Sequence, residues 1–294
     1  MQKIVTHLWY DKEALEAATF YDTLFANSKI LNVVTIKDTP SGDAQTLTLK
    51  LAGQEFMLIS GGPFFKFTPS ISLRVDCETE EEVVFLYDRL SVDGNVLMKL
   101  GSYPFSGKYG WIEDRYGLSW QIMLVDKPAV NQKITPTLMF TGEQHGKAGE
   151  AIHYYESVFK NASVGELVHY EEGDAPDTPD TIKYAGFTLE DQAFAAMDSA
   201  YNHDFAFNEA ISFIVNCDDQ EEIDYFWEKL SFVPEAEQCG WLKDKFGISW
   251  QIVPRIMTEM MQTKDSEKLS RVTAAFLKMK KFDIETLVNA YEGS

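Results

Sequence analysis

Few side chains in this sequence have the type and spacing to do chemistry. The opening segment KIVTHLWY alternates as a short strand, with Val5, His7 and Trp9 on one face and Thr6, Leu8 and Tyr10 on the other. An imidazole beside an indole can bind a ligand or contribute to a metal site. The remaining histidines, His145, His153, His169 and His203, show no i, i+4 pairing and no shared strand face. Trp111 and Gln121 return later as Trp241 and Gln251, a ring and an amide suited to wall and hold a small molecule, or equally to maintain the fold. Arg74, in the strand SISLRVDC, would be a lone cation in an otherwise aromatic pocket. Its guanidinium suits bidentate capture of a carboxylate or phosphate, or pairing with a surface acid at a sheet rim. Cys77 and Cys217 hold the same strand-end place and read as small core residues, and no GxSxG or P-loop accompanies them.

The chain around these residues has 294 positions, enough for two domains and a large core. With 26 basic and 46 acidic residues the net charge is −20, which repels phosphate backbones and argues against nucleic-acid binding. Acidic runs such as ETEEE and DDQEE stand where helices should begin, at capping-box spacing from Thr79 and Asp219, so they read as helix starts. No apolar run approaches the ~18 residues of a membrane span and the opening segment has no signal-like apolar region, so no membrane partner is expected and the location expected is cytoplasmic. Three widely spaced cysteines fit reduced structural thiols.

An internal repeat sets the architecture. WIEDRYGLSWQIM (Trp111 to Met123) returns as WLKDKFGISWQIV (Trp241 to Val253) with seven of thirteen positions identical. FTPSISLRVDC returns as FNEAISFIVNC, and FYDTLFANSKI returns more faintly as YYESVFKNASV, in the same order. Strand and helix periodicities predict that each copy is two βαβββ modules. Residues 1–126 form the first domain, 127–134 a polar linker, 135–255 the second domain, and 256–294 a tail with two amphipathic helices. Between Cys77 and Trp111 the first copy is longer than the second, and GSYPFSGKYG reads either as a flap bearing Tyr103, Phe105 and Tyr109 or as a β-hairpin extension.

NSKI after the first helix, GGPFFKFTPSISLRVDC in the middle and YGWIEDRYGLSWQI at the end resemble the PhnB-like branch of the vicinal oxygen chelate superfamily, the glyoxalase, bleomycin-resistance and extradiol-dioxygenase group. Some members carry a 3-demethylubiquinone 3-methyltransferase label, although no glycine-rich strand-turn-helix that would cradle a methyl donor is present here. The resemblance implies an α+β fold with two tandem vicinal oxygen chelate domains, a half-barrel around a cleft in each, and pairing of the copies as an internal pseudo-dimer, with a homodimer of whole chains left open. It also implies where metal-using relatives place ligands, commonly two His and two Glu. The first-strand place falls on His7 and Thr137, the last-strand place on Gln121 and Gln251, and the fifth-strand place near Ser70 or Ser72 and near Ala210 or Ser212. Neutral amides and hydroxyls hold a divalent ion weakly, so no metal and no cofactor is expected.

If the leucine-rich strand faces pack under helices, the opposite faces line the clefts. The expected ligand-binding residues are His7, Trp9, Arg74, Trp111 and Gln121 in the first copy, with Trp241 and Gln251 in the second. The function expected is binding of a small organic ligand in an aromatic cleft without a catalytic metal. The alternative, from the same resemblance, is a metal-dependent lyase or dioxygenase using His7.

Overall fold

A computed structural model describes residues 2–39, 42–127 and 132–294, so positions 128–131 of the expected linker lie outside the described residues. The elements follow the modular order. The first module is β1 (Ile4–Tyr10), α1 (Ala14–Asp22), β2 (Lys29–Thr39), β3 (Gly42–Leu51) and β4 (Gln54–Ser60). The second is β5 (Ile71–Cys77), α2 (Glu80–Leu90), β6 (Asn95–Tyr103), β7 (Ser106–Glu113) and β8 (Ser119–Leu124). The third is β9 (Ile134–Phe140), α3 (Ala148–Val158), β10 (Ser163–His169), β11 (Ile182–Leu189) and β12 (Gln192–Asp198). The fourth is β13 (Ile211–Cys217), α4 (Gln220–Leu230), β14 (Trp241–Lys243) and β15 (Ser249–Pro254). This last module is βαββ, one strand short of the expected pattern. Only 24 positions separate Cys217 from Trp241 against 34 between Cys77 and Trp111, and after α4 the remainder forms a short turn at Pro234–Ala236.

The chain divides into two compact units that cut across the sequence copies. Unit 1 comprises Met1–Asp22, Asn27–Phe65 and Asn208–Ser294, and unit 2 comprises Thr23–Ala26 and Lys66–Phe207. Unit 1 holds a seven-stranded sheet in the order β14-β15-β13-β1-β4-β3-β2, made from the first and fourth modules. Unit 2 holds an eight-stranded sheet in the order β10-β11-β12-β9-β5-β8-β7-β6, made from the second and third. In each, the seam between modules is antiparallel: His7 faces Ser212 across β1 and β13, and Ser72 faces Thr137 across β5 and β9.

Alternation decides which face meets the helices. Leu47, Leu49 and Leu51 of β3 are buried, whereas Thr46 and Thr48 face the other way and are half-buried. The helix starts behave as the acidic runs predict: Thr79 and Asp219 accept the backbone N–H of Glu82 and Glu222, and those glutamates accept from the N–H of Glu78 and Asp218. GSYPFSGKYG forms the β6–β7 hairpin, its Tyr103, Phe105 and Tyr109 rings packed on one another at 5.0–5.7 Å. Of the two readings of that segment, the structure adopts the hairpin.

The strongest repeat is explained by an aspartate. Asp114 Oδ1 accepts the N–H of Tyr116 and Leu118 while Oδ2 accepts the indole N–H of Trp120, and Asp244 does the same for Phe246, Ile248 and Trp250. One buried carboxylate thus fixes a turn and anchors a fully buried tryptophan in each copy. After β15 the tail forms three helices, α5 (Ile256–Met261), α6 (Ser266–Phe276) and α7 (Ile284–Glu292), where two were expected. The additional one, IMTEMM, is only 6 residues long and follows Pro254 directly, too short for helical periodicity to register. Met257, Met260, Val272, Phe282 and Leu287 make a small core of their own, packed with Val253 and Cys239 of the fourth module. Among the described residues, no helix is long and apolar enough to cross a membrane.

Removing the anchoring carboxylate leaves three donors unpaired, so Asp244→Ala is expected to lower stability by about 3 kcal/mol. Urea unfolding followed by tryptophan fluorescence checks this; a loss below ~0.5 kcal/mol would show that the turn holds without the aspartate.

Candidate functional site

Unit 1 holds an open cavity of about 570 Å³ on the sheet face turned away from α1 and α4. Its floor is built by neighbouring strands at one level. His7 of β1 lies between Met57 of β4 and Ser212 of β13, and Thr48 of β3 continues the row beyond Met57. Ser212 Oγ receives a hydrogen bond from Gln251 Nε2 at 3.0 Å and lies 3.3 Å from His7 Nδ1. All three side chains are buried. Burial without a counter-charge lowers the His7 pKa from 6.5 to about 3, so the imidazole is neutral at physiological pH.

Aromatic rings stand on this floor. Trp241 meets His7 edge-on at 5.4 Å and Trp9 at 6.2 Å, and Trp9 in turn meets Phe65 at 5.1 Å and Phe64 at 6.5 Å. The Trp9 indole is held by its N–H donating to the Gly62 carbonyl, 2.8 Å away. Gly61 is required here, because a Cβ at that position would run into the indole ring. The tail supplies the remaining wall through Met257, Met261, Phe276 and Phe282. Phe282 reaches it by packing over Gly240, which has φ +83° and leaves no room for a side chain.

The expected site residues therefore divide. His7, Trp9, Trp241 and Gln251 line one cavity, whereas Arg74, Trp111 and Gln121 belong to unit 2. The expectation grouped residues by sequence copy, while the sheets pair a strand of one copy with a strand of the other. Arg74 binds neither a rim acid nor an open space: its Nε lies 2.8 Å from Asp76 Oδ1, two positions along the same strand face, and its Nη1 donates to the Tyr184 hydroxyl. Gln121 donates to Ser72 Oγ at 2.6 Å and accepts from the Tyr109 hydroxyl at 2.9 Å, and the Trp111 indole donates to Ser119. Burial raises the Tyr109 phenol pKa, which keeps it protonated as that donor. The places that hold Arg74 and Asp76 in unit 2 hold Ile214 and Asn216 in unit 1, facing the cavity. The tail residues were not legible as site residues, since an amphipathic helix announces an apolar face without naming what that face covers.

Comparison with known proteins gives the same two-copy pattern. The family model described as 3-demethylubiquinone-9 3-methyltransferase matches twice, over residues 2–123 and 132–253. The chain belongs to that family. A PhnB protein from Bacillus cereus is 44% identical over 42% of this chain and 100% of its own, with a TM-score of 0.40. Glyoxalase I from Zea mays shares the fold, at 13% identity over 88% of this chain and 96% of its own, with a TM-score of 0.53. A variant of that enzyme gives 12% identity, 88% and 97% coverage and a TM-score of 0.55. No curated protein matches the chain.

The fold of this family raises the question of a divalent metal, against which the donors on the cavity floor can be compared. The floor offers one neutral imidazole, one amide, one serine hydroxyl and a thioether, with no carboxylate among them. Such a set does not fit a hard or borderline divalent cation. Among the described residues, no three His, Cys, Asp or Glu side chains cluster in a way that could hold one. Burial holds the two core thiols protonated, pushing Cys77 and Cys217 up to about 12; it also raises Cys239, which is only half-buried at the cavity wall.

The buried His7 makes stability depend on pH in a defined direction. The unfolded chain takes up the imidazole proton below about pH 6.5, while the folded protein takes it up only near 3, so folding loses stability as pH falls through that window and is unaffected above it. Between pH 6 and pH 4 the wild-type protein should lose about 1 kcal/mol per pH unit more than His7→Gln. Chemical denaturation of both across pH 4 to 8 measures the difference; parallel profiles would contradict a neutral buried imidazole.

Proposed function

We propose that the protein binds a small organic molecule in the unit 1 cavity and that this binding uses no catalytic metal. The observation that carries the reading is the combination of an aromatic wall with a few convergent polar groups in one cavity: Trp9, Trp241 and Phe65 around His7, Ser212 and Gln251. Cavities of this size, apolar walls and sparse polar contacts are the general features of small-molecule sites. His7, Trp9, Trp241 and Gln251 are the residues proposed to touch the ligand. Arg74, Trp111 and Gln121 are committed to protein partners and are proposed to keep unit 2 folded. The crosswise pairing of modules supports reading the two copies as an internal counterpart of a dimer.

Cys239 provides the test. It is half-buried at the cavity wall, whereas Cys77 and Cys217 are buried in the core. N-ethylmaleimide labelling of the full chain, read by intact mass and peptide mapping, should modify Cys239 first. A neutral bicyclic aromatic such as 2-naphthol should slow that reaction and quench tryptophan fluorescence. Trp241→Ala should weaken the probe by about tenfold or more, as loss of an aromatic anchor typically does. A panel of neutral aromatic compounds that neither slows labelling nor changes fluorescence would overturn the reading. So would stoichiometric metal in protein purified without chelator that disappears in His7→Ala, which is the outcome required by a metal-dependent lyase or dioxygenase. The family description names a methyltransferase, and methylated product on adding a methyl donor to the probe-bound protein would likewise replace binding with catalysis.

A further inference from the structure

The polar floor of the cavity specifies more than a general taste for aromatic molecules. Gln251 Nε2 is committed to Ser212 Oγ, so the amide oxygen is turned away from that hydroxyl. In unit 2 the corresponding oxygen, Gln121 Oε1, receives the Tyr109 hydroxyl. The matching position in the repeat, YGW against CGW, is Cys239, a weak donor at best. Among the described residues nothing donates to Gln251 Oε1, and the side chain lines the cavity.

The imidazole is fixed by the same serine. Ser212 is fully buried and its oxygen already accepts from Gln251, so its own hydrogen requires an acceptor, and His7 Nδ1 is the one within reach. A proton given to Nδ1 by Ser212 leaves the imidazole proton on Nε2. Nε2 has no partner among the described residues, and His7 faces the cavity. The floor therefore presents one donor, His7 Nε2–H, and one acceptor, Gln251 Oε1, both positioned by a single serine oxygen within 3.3 Å of each side chain. Charge narrows the occupant further. No Lys or Arg is among the described residues of the lining, which does include Glu209 and Glu235. Glu209 is paired with Lys243 at 2.7 Å. An anion would enter such a space without a counter-charge and at a large desolvation cost.

Resting on the proposed ligand-binding role of this cavity, we infer that its occupant is a neutral, planar ring compound carrying a carbonyl oxygen next to an N–H or O–H donor. The carbonyl accepts from His7 Nε2–H, the adjacent donor gives its hydrogen to Gln251 Oε1, and the ring packs against the aromatic wall that Trp9 and Trp241 form. Cyclic amides and ortho-hydroxy carbonyl compounds have this chemistry; carboxylates and simple hydrocarbons do not.

Isothermal titration of the full chain with 2-quinolone, 3-methyl-2-quinolone and 1-methyl-2-quinolone isolates the donor. The first two keep the carbonyl and N–H side by side, and the third blocks the N–H with a methyl group of the same size. The 1-methyl compound should bind about tenfold more weakly than the other two, the effect of one lost hydrogen bond that leaves a buried acceptor unpaired. In Gln251→Met the two N–H compounds should weaken by a similar factor, the 1-methyl compound should stay within about twofold of its wild-type affinity, and the preference should disappear. The anion 2-naphthoate should bind more weakly than neutral 2-naphthol. Equal or tighter binding of 1-methyl-2-quinolone to the wild-type protein would overturn the inference without relying on any variant, as would a preference that survives in folded Gln251→Met or a preference for the anion. Protection of Cys239 by 2-naphthol with no discrimination among the quinolones leaves the binding role standing and removes only the donor–acceptor assignment. Failure of every probe removes both.

Discussion

The antiparallel seam between β1 and β13 is the contact on which the site depends. It sets His7 opposite Ser212 and so joins the first module of one sequence copy to the last module of the other, across more than two hundred residues of chain. Without that pairing His7 would have no hydroxyl to fix its tautomer, Gln251 would sit in another sheet, and Trp241 would have no partner in Trp9. The equivalent seam in unit 2 pairs Ser72 with Thr137, and the same donation from glutamine amide to serine oxygen recurs there. A duplicated sequence has thus been assembled crosswise, and each sheet is complete only with strands from both copies.

Two units of one design differ in what occupies the face away from their helices. Unit 2 places Arg74, Asp76 and Tyr184 there and closes them into a buried network. Buried charges require such closure, since removing either partner would leave the other uncompensated. Unit 1 has Ile214, Asn216 and Thr46 at the matching places, which need no partner charge and leave space. The tail then completes the wall with methionine and phenylalanine, side chains whose bulk and flexibility suit an apolar surface open to different occupants.

The fold was legible wherever the signal was local. The alternation of QTLTLKLA and the capping residues Thr79 and Asp219 follow from neighbouring residues, and the structure bears both out. The repeat was also legible, and its most faithful part proves to be the Asp114 and Asp244 turn, a structural feature more than a chemical one. The site was legible as a set of residue types but not as a grouping. His7 and Trp9 share a face as their alternation predicts, but local sequence groups them with Arg74 and Gln121 because strand pairing between copies leaves no local trace. Loop length carried information that periodicity did not, in that the shorter fourth module has no room for the strand its counterpart uses.

The open cavity of unit 1, and not the filled face of unit 2, is the place proposed to receive the ligand. Fluorine NMR of protein labelled with 5-fluorotryptophan addresses it directly, because the 6 tryptophans of the chain are distributed over both units and both cores. With resonances assigned by single Trp→Phe substitutions, titration with 2-naphthol should shift Trp9 and Trp241 and leave Trp111 and Trp120 unmoved. Shifts at Trp111 with Trp9 and Trp241 unchanged would contradict the account.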